Sequence, residues 1–262
     1  MRLDVDTFWK AQKVLITVRT YPTPAYKGIE VSCTAGITDD NKWIRLFPLP
    51  YRYLDTDKRF RKYQWIEVNT KKASDTRPES YQLDIDSIKI LTEPIPTENN
   101  WQTRKDIIYP LKAHCLCCLQ KQRDTDGYPT LGIFKPKTIG SFKIEKDNSY
   151  WSQEQMERLM QTSFLEKHPT QKLEKIPYIF SYNFTCHEHG CKGHTLMCTD
   201  WEVMQSYRSW AQKYGNKWET PFRQKYETEM ILERDTHFYV GTLHEHPNAW
   251  IIVGLFYPPT SN

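Results

Sequence analysis

The chain has 262 residues, with 39% hydrophobic and 26% charged residues and a formal net charge of +4. That length supports a sizeable core in one large or two small domains, and the composition excludes a tail-like disordered protein. No run of eighteen apolar residues occurs, so no membrane-spanning helix and no membrane partner are expected.

The first ten residues carry acids and no apolar stretch, unlike a secretory or transit signal, and a cytoplasmic location is the expectation. Two early segments alternate as strands: Val14, Ile16 and Val18, then Ile29, Val31, Cys33 and Ala35. Lys42 to Phe47 alternates again, and Pro48 and Pro50, which donate no backbone N–H, are expected to stop it. Tyr63 to Val68 and Tyr81 to Leu91 complete five short strands. The fold class expected is α+β: a β-rich small barrel or rolled sheet over residues 1–91, packed with a mixed part over 101–262 that contains a zinc loop.

Charge is concentrated in the same region. Between Lys42 and Lys72 nine basic residues meet three acidic ones, so the rest of the chain is slightly acidic. Trp43, Tyr51, Tyr53 and Trp65 interleave with Lys42, Arg45, Arg52, Arg59, Arg61 and Lys62. Cations that hold phosphates beside rings that stack on bases are what a single strand or a displaced base requires. The leading expectation is a non-enzymatic nucleic-acid-binding protein that takes single strands or displaced or modified bases, because no basic recognition helix for a major groove is visible. A metal-dependent nuclease or phosphodiesterase is the alternative, with Asp84 and Asp86 on one strand face near Lys89, or Glu67 near Lys71, as its ligands. A protein-interaction subunit of a larger complex, with another protein as partner, is the third.

Thr92 to Trp101, rich in proline and polar residues, reads as a connector. Phe142 and Ile144 belong to a short strand. Ser152 to Gln155 reads as a capping box opening a helix through Met156, Leu159 and Met160 that ends near Phe164. Tyr178, Phe180, Tyr182 and Phe184 share one strand face, as a core or as a stacking platform. Thr199 to Glu202 is a second capping box, Gly215 a helix stop, and Thr220-Pro221 a further helix start. Phe238 to Leu243 and Trp250 to Tyr257 should pair as a hairpin, with His237, His244 and His246 near its exposed tip. No internal repeat is apparent in the sequence.

The sharpest chemical signal is Cys186-His-Glu-His-Gly-Cys-Lys-Gly-His194. Thiolates and imidazoles are the ligands zinc prefers, and Gly190 and Gly193 permit the tight turns that bring Cys186, Cys191 and His194 to one centre. Cys198 is expected as the fourth ligand, with His187, His189 or a thiol of Cys115, Cys117 and Cys118 as substitutes. Such a closed site is structural, and it would tie the aromatic strand to the helix that follows. His187 and Glu188 are adjacent and no P-C-x-x-C follows, which excludes the zinc-deaminase pattern. The glycine-bearing loop likewise excludes the H-E-x-x-H helix of zinc proteases.

Overall fold

The computed structural model describes residues 8–25, 30–161, 172–244 and 246–260. Contacts divide the chain into one unit of Met1–Ile95 with Tyr150–Lys175 and another of Pro96–Ser149 with Ile176–Asn262. The division at Ile95 falls inside the proline-rich connector.

In the first unit, β1 (Lys10–Arg19), β2 (Glu30–Thr38), β3 (Trp43–Leu49), β4 (Trp65–Lys72) and β5 (Ser80–Leu83) form a closed circuit. Val14 of β1 lies opposite Thr38 of β2 on one side and Ile66 of β4 on the other. β2 continues to β3, and β3 pairs in parallel with β5, which returns to β4. The order β1-β2-β3-β5-β4, closing on β1, is that of the five-stranded Greek-key OB barrel. Period-two alternation turns Val14, Ile16, Ile44, Leu46, Ile66 and Val68 into one buried cluster, and Leu54 and Phe60 from the β3–β4 connection join it. Burying these side chains supplies roughly 1.5–3 kcal/mol apiece.

Three local features differ from the sequence expectation. Pro48 lies within β3 and does not stop it. The register slips between Ser32 and Thr34, so Phe47 and Pro48 absorb the extra residue where no ladder N–H is needed. Tyr63 has φ of 65° and belongs to a turn, so β4 begins at Trp65. The long strand expected over residues 81–91 breaks after Leu83. Asp84 accepts the Asp86 backbone N–H at 3.1 Å and caps a 3-10 turn over Ile85–Ser87, the local bonding by which aspartate competes with extended structure.

The helix Gln153–Gln161 of this unit opens with the expected reciprocal box. Gln155 N–H donates to Ser152 Oγ at 3.2 Å, and Ser152 N–H donates to Gln155 Oε1 at 3.0 Å. Its expected end near Phe164 lies outside the described residues.

The second unit begins with α1 (Glu98–Ile108), whose residues Asn99 to Trp101 have positive φ, and α2 (Leu116–Asp126). Two sheets follow. β6 (Leu131–Phe134) pairs with β10 (His237–Thr242), which pairs with β11 (Trp250–Phe256). β7 (Thr138–Lys146) pairs with β8 (Tyr178–Thr185), which pairs with β9 (His194–Met197). Only Lys135 to Lys137 separate β6 from β7, so these act as one bent strand serving both sheets. On the far side a parallel bridge between Cys198 and Ile252 joins the end of β9 to β11. The resulting order, with a parallel contact between third and fifth strands, follows the strand order of the first unit, and the short strand Lys112–Ala113 adds a further parallel pairing on the outer edge of β6. Strand order and turn placement carry that repeat; residue identities do not, which is why the sequence shows no period.

Phe180, Tyr182 and Phe184 are fully buried, so the aromatic face of β8 is core. Phe222 and Tyr226 close over it: Phe222 lies 4.8 Å from Phe180, and the Tyr182 hydroxyl donates to the Tyr226 carbonyl at 2.5 Å. Those two residues come from α4 (Glu219–Arg223) and the π-helix Gln224–Glu233 that continues it, preceded by α3 (Trp201–Tyr214). The cap of α3 is Asp200, one residue later than the sequence implied: it accepts from Glu202 N–H at 2.7 Å and from Leu255 N–H at 2.9 Å. Thr199 instead continues the strand edge, donating its N–H to Ile252 O. The terminal hairpin forms as expected, but His237 is buried on β10 rather than placed near the tip.

Candidate metal centre and cationic loop

Cys117, Cys186, Cys191 and His194 converge, with one ligand atom from each inside a common 4.8 Å. Cys117 sits in the first turn of α2, Cys186 directly follows β8, and His194 opens β9. Cys191 reaches the same point because Gly190 and Gly193 adopt φ of 79° and 86°, a conformation that side chains rarely take. The Cys191 sulfur then accepts N–H groups from Cys186 at 3.3 Å and Gly193 at 3.4 Å. His194 Nε2 lies 3.1 Å from Cys117 Sγ and 3.5 Å from Cys191 Sγ, while its ring stacks on Phe184 at 5.3 Å.

These spacings suit zinc. Bonds of about 2.3 Å to sulfur and 2.0–2.1 Å to nitrogen on a tetrahedron put sulfur and nitrogen roughly 3.6 Å apart. Three cysteines and one histidine also match in number and type the four-ligand sets of closed zinc sites. In the protein alone, burial together with the nearby Cys186 and Cys191 sulfurs pushes the Cys117 thiol up to about 12. Burial raises Cys186 as well, whereas the Cys186 backbone N–H lowers Cys191, and burial lowers His194. Crowded sulfurs of this kind are what a divalent cation relieves, because its charge replaces their protons.

Cys198, expected as the fourth ligand, lies outside this group. It is fully buried in the bridge to Ile252, and its N–H donates to Phe180 O at 2.7 Å. The sequence held a signal for this. Four residues along an extended strand from His194 amount to about 13 Å, too far for a shared ion. Spacing alone did not single out Cys117 among its neighbours, because which thiol of a helical turn points at a distant loop depends on how the helix docks. His187 and His189 are exposed.

The cationic residues of the first unit separate into distinct environments. Arg45 is buried, its guanidinium donating to Ser80 Oγ at 3.0 Å, and so does not reach the surface. Arg52 pairs with the buried Glu30 at 3.0 Å; burial raises the Glu30 carboxyl to about 7 against the pull of that arginine. Lys42, Arg59 and Arg61 are exposed, and Trp43, Tyr51, Tyr53, Lys62 and Trp65 are half-buried. Arg59 donates to the carbonyls of Leu54 and Arg52, which holds the β3–β4 connection in shape. The Tyr51 hydroxyl donates to Phe60 O at 2.6 Å while the Arg19 guanidinium lies over its ring at 3.5 Å. Asp84 caps its turn and Asp86 pairs with Lys58 at 3.3 Å, so the two do not present one strand face to an ion. Glu67 pairs with Lys89.

Two family models, each described as a domain of unknown function, match the chain: DUF8758 over residues 10–110 and DUF8757 over residues 112–262. The longer match covers more than half of the sequence. The chain belongs to the DUF8757 family. That match contains all four residues of the candidate metal centre. No curated protein matches the chain. Among solved structures, the crystal structure of the tetrameric p202 HIN2 aligns over 98% of this chain and 94% of that chain, at 8% identity and a TM-score of 0.31. A likeness of that size carries no argument about fold or function. No described helix is long and apolar enough to cross a membrane.

Proposed function

We propose that this DUF8757 protein binds single-stranded or locally unpaired nucleic acid without cleaving it, and that zinc at Cys117, Cys186, Cys191 and His194 stabilises its second unit. The observation that carries the binding reading is the β3–β4 connection of the first barrel. Within Tyr51 to Lys62 it gathers Arg52, Lys58, Arg59, Arg61 and Lys62 beside Tyr51 and Tyr53. Barrels of this topology hold oligonucleotides against strands and loops by combining cations with stacking rings. Arg61 and Glu93 are 3.5 Å apart and both more than 70% exposed, a pairing that solvent weakens enough for a phosphate to replace it. Ala35, Ile37 and Arg45 are buried, which favours this connection over the β2–β3 face as the binding surface.

Fluorescence anisotropy with a labelled single strand and the matching duplex, at low and moderate salt, tests the reading. Neutralising Arg59, Arg61 and Lys62 to alanine should weaken single-strand binding more than tenfold. It should also flatten the log–log salt dependence by about 2, near 0.7 for each phosphate no longer neutralised. An absence of binding at low salt, or a triple variant that binds like the parent, removes the proposal.

A further inference from the structure

Beside the Cys117 centre lies a second sulfur pair that this centre does not use. Cys115 and Cys118 bracket the first turn of α2, and their sulfurs are joined as a disulfide. The Cys118 N–H donates to Cys115 Sγ at 3.0 Å, and Cys118 Sγ lies 3.6 Å from Glu188 Oε2. The two sulfurs and that carboxylate oxygen fall within 4.8 Å of one another. Glu188 comes from the loop that also carries Cys191, whose N–H donates to the Glu188 carbonyl at 3.2 Å. The rings of His114 and His187, the chain neighbours of Cys115 and Glu188, stand 5.8 Å apart beside the group.

We propose that Cys115, Cys118 and Glu188 form a redox-gated second metal site, which holds one thiophilic divalent ion such as zinc when the cysteines are reduced and releases it when they join. A bridge between residues three apart closes a very short loop, so it removes little freedom from the unfolded chain. Its value lies in exchange chemistry instead, for which the C-x-x-C spacing at a helix start is suited. Two thiolates and a carboxylate match the ligand preferences of zinc. The neighbouring centre favours a second cation as well, since three thiolates and a neutral imidazole leave a zinc complex with a net negative charge.

The gating step balances. The sulfurs of Cys115 and Cys118 lose two electrons as the S–S bond forms. A low-molecular-weight disulfide accepts those electrons as its own S–S bond breaks to two thiolates, and the metal ion returns to solution unchanged in charge.

The full chain, equilibrated with zinc alone in an excess of either reduced or oxidised glutathione and then desalted, should hold about two zinc ions when reduced and about one when oxidised. Cys118→Ser should hold about one in both conditions, and Glu188→Ala should weaken the redox-dependent ion at least tenfold. Cys191→Ser should lose the other ion and keep the redox-dependent one, which separates this site from the Cys117 centre. If that variant does not fold, Cys118→Ser still decides the matter. Equal zinc content in the two redox states, or two ions in reduced Cys118→Ser, overturns the proposal.

Discussion

In protein kept oxidised at Cys115 and Cys118, Cys117→Ser is expected to lose its one zinc ion and to melt more than about 10 °C below the parent. Structural zinc contributes apparent binding free energies of about 10–16 kcal/mol in small zinc domains, and losing one ligand of four forfeits a large part of that. A change of 1 kcal/mol moves the midpoint of a domain of this size by about 2–4 °C. Cys198→Ser supplies the contrast. Its side chain is fully buried, so it loses some stability, yet it retains the zinc because it lies outside the ligand group. Elemental analysis and calorimetry separate the two effects. Zinc retained in Cys117→Ser at the parental melting temperature contradicts the four-ligand centre, and zinc lost in Cys198→Ser restores the ligand set read from the sequence.

The second large effect is a loss of stability in mild acid that traces to His237. This ring is buried on β10, with Nδ1 at 2.8 Å from the Asp235 carbonyl and Tyr109 and Phe256 packed around it. Burial is the leading cause that lowers it to about 4, with the Asp235 carboxylate pulling the other way and Lys112 and Lys135 adding to the depression. The folded protein therefore holds the neutral ring, while the unfolded chain takes up a proton near the ordinary value of 6.5. The stabilisation is complete above pH 6.5, falls as pH drops toward 4, and has gone below that. Over the window the linkage amounts to about 3 kcal/mol. Denaturant melts at steps between pH 7 and pH 4 should show a shallower slope in His237→Gln than in the parent. Because the comparison is of slopes, acid release of zinc cancels between the two proteins. Parallel slopes discard the assignment.

Much of the fold follows from patterns that survive any packing. Alternation identified the strands around Val14, Trp43 and Tyr178 because one buried face demands it, and an unbroken apolar run marked the one from Trp250, whose residues are all buried. The Ser152 box, the Gly215 stop and the terminal hairpin rest on hydrogen bonds among near neighbours, which a sequence displays directly. The ligand types of the metal loop were legible for the same reason: Cys186, Cys191 and His194 lie within nine residues, and two glycines supply the turn.

What tertiary structure alone decided involves residues distant in the chain. Cys117 lies 69 positions before Cys186, and only the docking of α2 on the β8–β9 loop brings the two together. Arg45 reads as a phosphate ligand within a cationic run, but the parallel pairing of β3 with β5 places it against Ser80 and out of solvent. His237 reads as part of a loop-tip group, and its place opposite Phe256 on β11, with the Tyr109 ring packed against it, buries it. The closure of the N-terminal barrel is decided in the same way, by hydrogen bonds between strands whose partners no local pattern names. Periodicity states which face of a strand is buried, whereas the choice of neighbour depends on the free energy of the whole packed arrangement.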